Sequence, residues 1–183
     1  GGLTEDEFNG YASIFKNRSQ IDWNAMYYAN TTSAFPGRSV YVLYEDRTDD
    51  NLLNANSFIN SSISDNISLN AGVNFRKLRS HNHQNLLDLM GGQYFLDIDT
   101  FYAGDAAQSD LNNPNRQVGE NESYGYNYLL HALTFDGFTQ FKFTYDKADF
   151  YLAQSFSRTE YQREGLYRNG IYADNSFGKG ESI

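Results

Sequence analysis

The chain has 183 residues, which is enough for one domain with a core of its own. It carries 23 Asp and Glu against 14 Lys and Arg, and this net charge of −9 excludes nucleic acid as the main partner, because no basic stripe is present to neutralise phosphates. It contains no cysteine, which excludes disulfides and thiolate chemistry.

The first 38 residues are predicted to form a loop with short helices. Residues 5–17 show mixed helical spacing of their aromatic side chains, and a second short helix is predicted over residues 20–30 with Ser19 as its N-cap. Residues 31–38 contain Pro36 and Gly37 and are predicted to be a loop.

From Ser39 the hydrophobic period changes to two, which predicts strands. Asp65 and Asn66 form a tight-turn signal between two alternating arms of about ten residues each. The acidic stretch at residues 49–51 either interrupts the first strand or forms a polar patch within it.

Residues 86–123 are predicted to be a long irregular loop, and the alternation resumes at Tyr124. The apolar positions change from even to odd numbers at residues 135–138, so Asp136 and Gly137 mark either a hairpin turn or a bulge. We favour the bulge, because a hairpin leaves a strand too short to cross a bilayer. Residues 146–149 are predicted to be a turn, and a second long loop is predicted from about residue 164.

The side chains opposite the apolar ones are dominated by Asn, Ser, Gln, Gly and Thr. This composition favours a confined, hydrated lumen over an open aqueous surface. Aromatic side chains near the predicted strand ends, together with short turns at one end and long loops at the other, are typical of an outer-membrane barrel. The predicted fold is therefore all-β, an antiparallel segment of a transmembrane β-barrel, with long extracellular loops carrying short helices. The alternative is a secreted, soluble β-sandwich that binds carbohydrate.

Three stretches resemble one family, the TonB-dependent outer-membrane receptors of Gram-negative bacteria. Residues 137–170 are similar to a strand–turn–strand segment of these receptors, with Phe138 and Gln140 at the entry, Asp146 and Lys147 at the turn, and Tyr161-Gln162-Arg163 at the exit. Residues 110–128 resemble a loop that returns to the next strand, and residues 19–30 resemble a helical stretch in a surface loop.

The resemblance implies a plugged barrel in the cell outer membrane that imports a scarce nutrient, such as an iron chelate, a vitamin or a glycan. Its partners would be outer-membrane lipid, the rest of the barrel and plug, and an inner-membrane energy-coupling complex. The plug, the energy-coupling box and a terminal aromatic strand are not recognised in this sequence, so we expect a barrel segment, with a loop region over residues 1–38 and strands and loops over residues 39–183.

Ligand contacts are predicted for aromatic residues in the outer helices and loops, because sugars and flat chelates stack on such rings. The alternative is that these rings pack the loops against each other. The candidates are Trp23, Tyr27, Tyr28, Tyr94, Phe95, Phe101 and Tyr102.

Other polar clusters yield no predicted site. His81 and His83 form an H-x-H pair, with His131 as a third histidine, but we interpret them as solvated polar residues and predict no metal and no cofactor. The loop carboxylates either order a loop through calcium or are solvated, and we favour solvation, as for the first strand's carboxylates. These carboxylates are Asp97, Asp99, Asp105 and Asp110 in the loop, and Asp46, Asp49 and Asp50 in the strand. No nucleophile motif or phosphate-binding glycine loop occurs, so an enzyme is not predicted.

Overall fold

The computed structural model describes residues 4–6, 13 and 20–180. Helix α1 spans Trp23–Thr31. The strands are β1 (Arg38–Ser39), β2 (Leu43–Ser64), β3 (Ile67–Asp88), β4 (Tyr94–Leu96), β5 (Gln117–Val118), β6 (Ser123–Tyr145), β7 (Ala148–Gly165) and β8 (Gly178–Lys179), with a short 3-10 helix at Gly104–Ala107. The fold is mostly β, and its main sheet is an antiparallel ribbon in the order β2-β3-β6-β7-β8. None of the described helices is long and apolar enough to cross a membrane.

The turns at the short end of the ribbon lie where the sequence places turn signals. Asp65 and Asn66 join β2 to β3, and the Asn66 amide donates to the Thr144 carbonyl at 2.6 Å, which ties this turn to the end of β6. The second turn is tighter than predicted, because only Asp146 and Lys147 lie outside the strands. The strands themselves are twice the predicted length, at 22 residues each for β2 and β3.

The polar side chains of residues 49–51 form a patch inside β2 and do not interrupt it. The predicted loop over residues 86–123 is also more structured than expected, because β3 continues to Asp88 and the loop contains β4 and β5. Most of the first predicted helix lies outside the described residues, as does Ser19. The second helix is confirmed, and its N-cap is Asp22, whose carboxylate accepts from the Ala25 amide at 3.0 Å.

Both interpretations of Asp136 and Gly137 are wrong. β6 runs through these residues in unbroken register, with Gly137 opposite Val73 on one side and Phe156 on the other. A Cβ at Gly137 would lie 2.4 Å from the Phe156 ring, so this glycine marks a close aromatic approach and not a turn. The only register shift between β3 and β6 lies further along, between His83 and Gln84.

One face of the ribbon carries an apolar stripe confined to the half nearest the turns. Directly paired residues share a face, so the strand register defines it. The apolar members of the stripe are Leu53, Ala55, Ile59, Ile67, Leu69, Ala71, Val73, Phe75, Leu133, Phe135, Phe141, Phe143, Tyr145, Phe150, Leu152 and Phe156. The polar residues that lie among them on the same face include Ser57, Ser61, Thr139 and Gln154. On β3 the stripe spans nine residues, 67–75, or about 27 Å along the strand. Beyond it the same face becomes polar at Lys77 and Arg79.

The opposite face, here called the amide face, carries mostly neutral hydrogen-bonding side chains over the same half of the ribbon, with Arg76, Asp136 and Lys142 among its charged members. Its residues include Asn54, Asn56, Asn60, Ser68, Asn70, Asn74, Thr134, Asp136, Gln140, Ser155, Ser157 and Thr159. The aromatic side chains on this half of the face include Phe58, Phe138 and Tyr151, and the rings of Phe58 and Phe138 flank Gly72 at a separation of 6.4 Å. The described residues place no second layer on the ribbon, and stripe residues Val73 and Leu152 are 46% and 62% exposed.

At the other end the ribbon carries a small lobe, which we define as residues 20–42, 89–122 and 166–180. It contains a three-stranded sheet in the order β1-β4-β5. The core of the molecule lies where this lobe meets the ribbon, and it consists of Leu86, Leu89, Val118 and Tyr124, with Phe95 packed against them. Leu86 and Tyr124 belong to the amide face by register, so the lobe packs on that face.

Candidate functional site

Side-chain hydrogen bonds cross the amide face from strand to strand. Asp136 on β6 accepts from Asn74 on β3 at 3.2 Å and from Ser157 on β7 at 2.5 Å. The Thr134 and Thr159 hydroxyls lie 3.3 Å apart one step further along. A carboxylate, an amide and hydroxyl groups therefore satisfy one another on this face, as expected for a wall of a narrow, hydrated space.

Aromatic side chains predicted to contact a ligand fall into two groups in the lobe. Trp23, Tyr27 and Tyr28 lie on α1, and all three rings are exposed. Tyr27 also packs over Gly91, where an added Cβ would lie 3.2 Å from its ring. That these three rings form a ligand-binding surface remains a prediction.

The second group lies on β4 and in the loop after it. Phe95 packs edge-on against Tyr124 at 5.3 Å, so its ring has a structural role in the core. Tyr94 is half-buried, Tyr102 is exposed, and Phe101 is 94% exposed. No ring contact joins the two groups within the described part of the chain.

A cleft of about 350 Å³ opens beside Phe95. Its wall includes Phe35, Arg38, Val40 and Ile98, and the Arg38 guanidinium lies 5.4 Å from the centre of the Phe35 ring. An aromatic ring, a cation and apolar side chains suit an amphipathic small molecule. This cleft could not be predicted from the sequence, because residues 35–40 and 95–100 meet only through the parallel pairing of β1 with β4.

Helix α1 is held in place by one buried amide. The Asn30 side chain is 2% exposed and donates to the carbonyls of Tyr41, Leu89 and Met90 at 2.7–3.0 Å. Its oxygen accepts from the Val40 and Tyr41 amides at 2.7 and 2.9 Å. The helix that presents Trp23, Tyr27 and Tyr28 is thereby fixed to the end of β3.

Two of the loop carboxylates are buried, which corrects their interpretation as solvated groups. Asp97 accepts from Arg116 and from the Gly125 amide, both at 2.8 Å. Asp110 accepts from the backbone amides of Asn112 and Arg168 at 3.1 and 3.0 Å. Because these oxygens already join separate segments of the lobe, they organise the loop by hydrogen bonding.

The histidines are also placed differently from the sequence-based interpretation. His131 lies on the neighbouring strand β6 opposite Arg79, and its Nε2 is 3.2 Å from a carboxylate oxygen of Glu164. His83 is buried, and its partner across the strands is Arg47, while Asp49 lies opposite His81. Burial and the neighbouring His81 lower the pKa of His83 below its ordinary value, so its imidazole is neutral at neutral pH.

Comparison with protein-family models, with curated proteins and with solved structures finds no match to this chain.

Proposed function

We propose that the chain is part of an outer-membrane β-barrel, with its apolar stripe toward the acyl chains and its amide face toward a hydrated interior. The observation that carries the proposal is that a single sheet layer has the apolar stripe on one face and the amide face on the other, with no second layer over the stripe among the residues that the structure describes. The stripe's nine residues on β3 come close to the ~9–11 residues of a tilted strand that crosses a bilayer.

Aromatic side chains occupy both ends of the stripe, as they do at the two interfaces of outer-membrane barrels. Near the turns Phe143 stacks on Phe150 at 4.5 Å, with Tyr145 beside them. At the far end Phe135 and Phe156 lie 5.6 Å apart. Lys77 and Arg79 follow directly beyond the stripe, where their charges would reach water and lipid headgroups.

The parent barrel is proposed to be a TonB-dependent receptor that imports an iron chelate, a vitamin or a glycan. The lobe packs on the amide face, so in a closed barrel it lies over the mouth of the lumen. This is where an incoming ligand would first be held, by the α1 aromatics or by the cleft beside Phe95.

Membrane location is tested by fractionating cells that produce the intact protein. We expect it to stay with the outer membrane after alkaline carbonate extraction. Recovery in the soluble fraction would favour the secreted carbohydrate-binding sandwich instead.

Transport is tested separately, with a strain from which the gene is deleted. Growth is compared on a panel of iron chelates, vitamins and glycans, each supplied as the sole source. The proposal predicts loss of growth on one nutrient, restored by the wild-type gene. Equal growth of the two strains on every nutrient would contradict the receptor role while leaving the membrane location intact.

A further inference from the structure

Two histidines and a carboxylate converge on the stripe face, in its polar part beyond Lys77. Asp49 on β2 lies opposite His81 on β3, and His83 is the next residue along the same face. One potential ligand atom from each of the three lies within 4.8 Å of the others. The two imidazoles are stacked, with ring centres 4.2 Å apart and planes inclined by 22°.

The His83 side chain points independently to a missing ligand. The residue is 6% exposed, and its Nδ1 atom is buried with no hydrogen-bond partner among the described residues. An unsatisfied buried polar atom costs about 1–3 kcal/mol, so native structures rarely keep one without a compensating interaction. A metal ion bound to this nitrogen would supply that interaction.

His81 is oriented in the way that metal-binding histidines are. Its Nε2 lies 2.7 Å from the side-chain oxygen of Asn127 on β6. An amide oxygen only accepts hydrogen bonds, so Nε2 carries the hydrogen and Nδ1 is left with a free lone pair. A hydrogen bond from the other ring nitrogen to an oxygen is the usual support of a ligating imidazole.

Asp49 supplies the third ligand, and its carboxylate already pairs with a cation. One of its carboxylate oxygens accepts from Arg47 at 3.1 Å. This contact is exposed, with 44% of the Arg47 side chain open to solvent, so the carboxylate is free to turn toward a cation.

We propose that Asp49, His81 and His83 bind one divalent transition-metal ion of the zinc class. Ligand atoms at about 2.0–2.1 Å from a tetrahedral zinc lie about 3.4 Å apart, so the three side chains must draw closer. The two stacked rings must also turn until the ion lies in the plane of each imidazole. Two imidazoles and one carboxylate suit Zn²⁺, whereas Mg²⁺ and Ca²⁺ prefer oxygen ligands throughout. The fourth position stays open to water or to a ligand from outside the chain.

The proposed ion joins β2 to β3, and it does so far from the turn that connects them. Within the described residues β2 pairs with no other strand, so a metal bridge would hold its outer part against the sheet. The site goes beyond the proposed receptor function and does not depend on it, because its geometry is the same whatever faces the apolar stripe.

The test is titration of the purified, detergent-solubilised protein with Zn²⁺ in competition with a chromophoric chelator. We expect one ion per chain, and an affinity lower by about tenfold or more in His81→Ala and in His83→Ala. Asp49→Asn should also weaken binding. The matched control is His131→Ala, since this third histidine pairs with Glu164 and should leave zinc binding unchanged.

A second measurement keeps the test decisive if a variant folds poorly. In the wild-type protein, Zn²⁺ should slow hydrogen exchange at the amides of residues 45–51 and leave the amides of α1 unaffected. The proposal is overturned if the wild type shows no saturable binding. It is equally overturned if the folded His83→Ala variant binds as tightly as the wild type, or if His131→Ala loses binding to the same extent.

Discussion

Replacing Asn30 by alanine should release helix α1 from the ribbon. The side chain is 2% exposed and joins five backbone groups, accepting from two amides and donating to three carbonyls. Alanine removes every one of these bonds and leaves the amides of Val40 and Tyr41 without a partner. These two hydrogen bonds are part-buried, and a buried donor left without a partner costs about 1–3 kcal/mol, so we expect the lobe to lose about 3 kcal/mol of local stability in all.

The assay is native-state hydrogen exchange, read at the amides of α1 and at Val40 and Tyr41. A loss of about 3 kcal/mol corresponds to opening that is more frequent by about 150-fold. Asn51→Ala, at an exposed position of β2, is the matched control and should change none of these rates. If Asn30→Ala raised exchange by less than about threefold, the buried amide would not be what anchors the helix, and the reasoning would be refuted.

Three further variants test other contacts. Gly72→Ala would place a Cβ 2.7 Å from two phenyl rings and should lower the melting temperature by an amount matching about 1–3 kcal/mol, whereas Gly119→Ala, with no atom closer than 3.8 Å, should not. Burial and a hydrogen bond to a carboxylate raise the pKa of Tyr126 from 10.0 to about 12, so the folded state holds this proton more tightly than the unfolded state does. The contribution of Tyr126 to the free energy of unfolding is therefore complete below pH 10 and is lost as the pH rises toward 12. Tyr126→Phe should flatten this decline in a series of unfolding measurements at increasing pH. Arg116→Ala leaves Asp97 buried without its cation and should cost about 3–5 kcal/mol in denaturant unfolding, while a cost below about 1 kcal/mol would show that the pair does not hold the loop.

Local features of the fold could be predicted from the sequence because their causes are local. The turn at Asp65 and Asn66 and the alternation of β3 each depend on a few adjacent residues. The same holds for α1, although its cap had to be found in the structure at Asp22. The all-β, antiparallel character of the ribbon follows from these signals alone.

The change from even to odd apolar positions in β6 could not be interpreted without the lobe. Tyr124 and Tyr128 lie on the amide face, where the lobe covers the ribbon, and Phe141 and Phe143 lie on the stripe face. The strand continues without interruption, but its apolar side chains move from the amide face to the stripe face along its length. A sequence pattern records the change but not its cause, because the covering residues are distant in the chain.

The histidine cluster shows a second limit on what the sequence can predict, and this limit is set by strand register. A two-residue turn at Asp65 and Asn66 would place Asp50 opposite His81 if the pairing were regular. The shift between Ser62 and Ser64 moves the register by one residue and brings Asp49 there instead. Because one step of register exchanges the two faces of a strand, Asp49 could not be identified from spacing as the third proposed ligand.

The most direct test of the membrane proposal is a spin-label scan along β3 in the protein reconstituted into lipid bilayers. The chain has no native cysteine, so single cysteines can be introduced at Ala71, Val73, Asn74 and Arg79. We predict high oxygen accessibility and low accessibility to a water-soluble nickel chelate at Ala71 and Val73, with the reverse at Asn74 and Arg79. Equal shielding of Val73 from both reagents would mean that protein covers the stripe, and the barrel assignment would be contradicted.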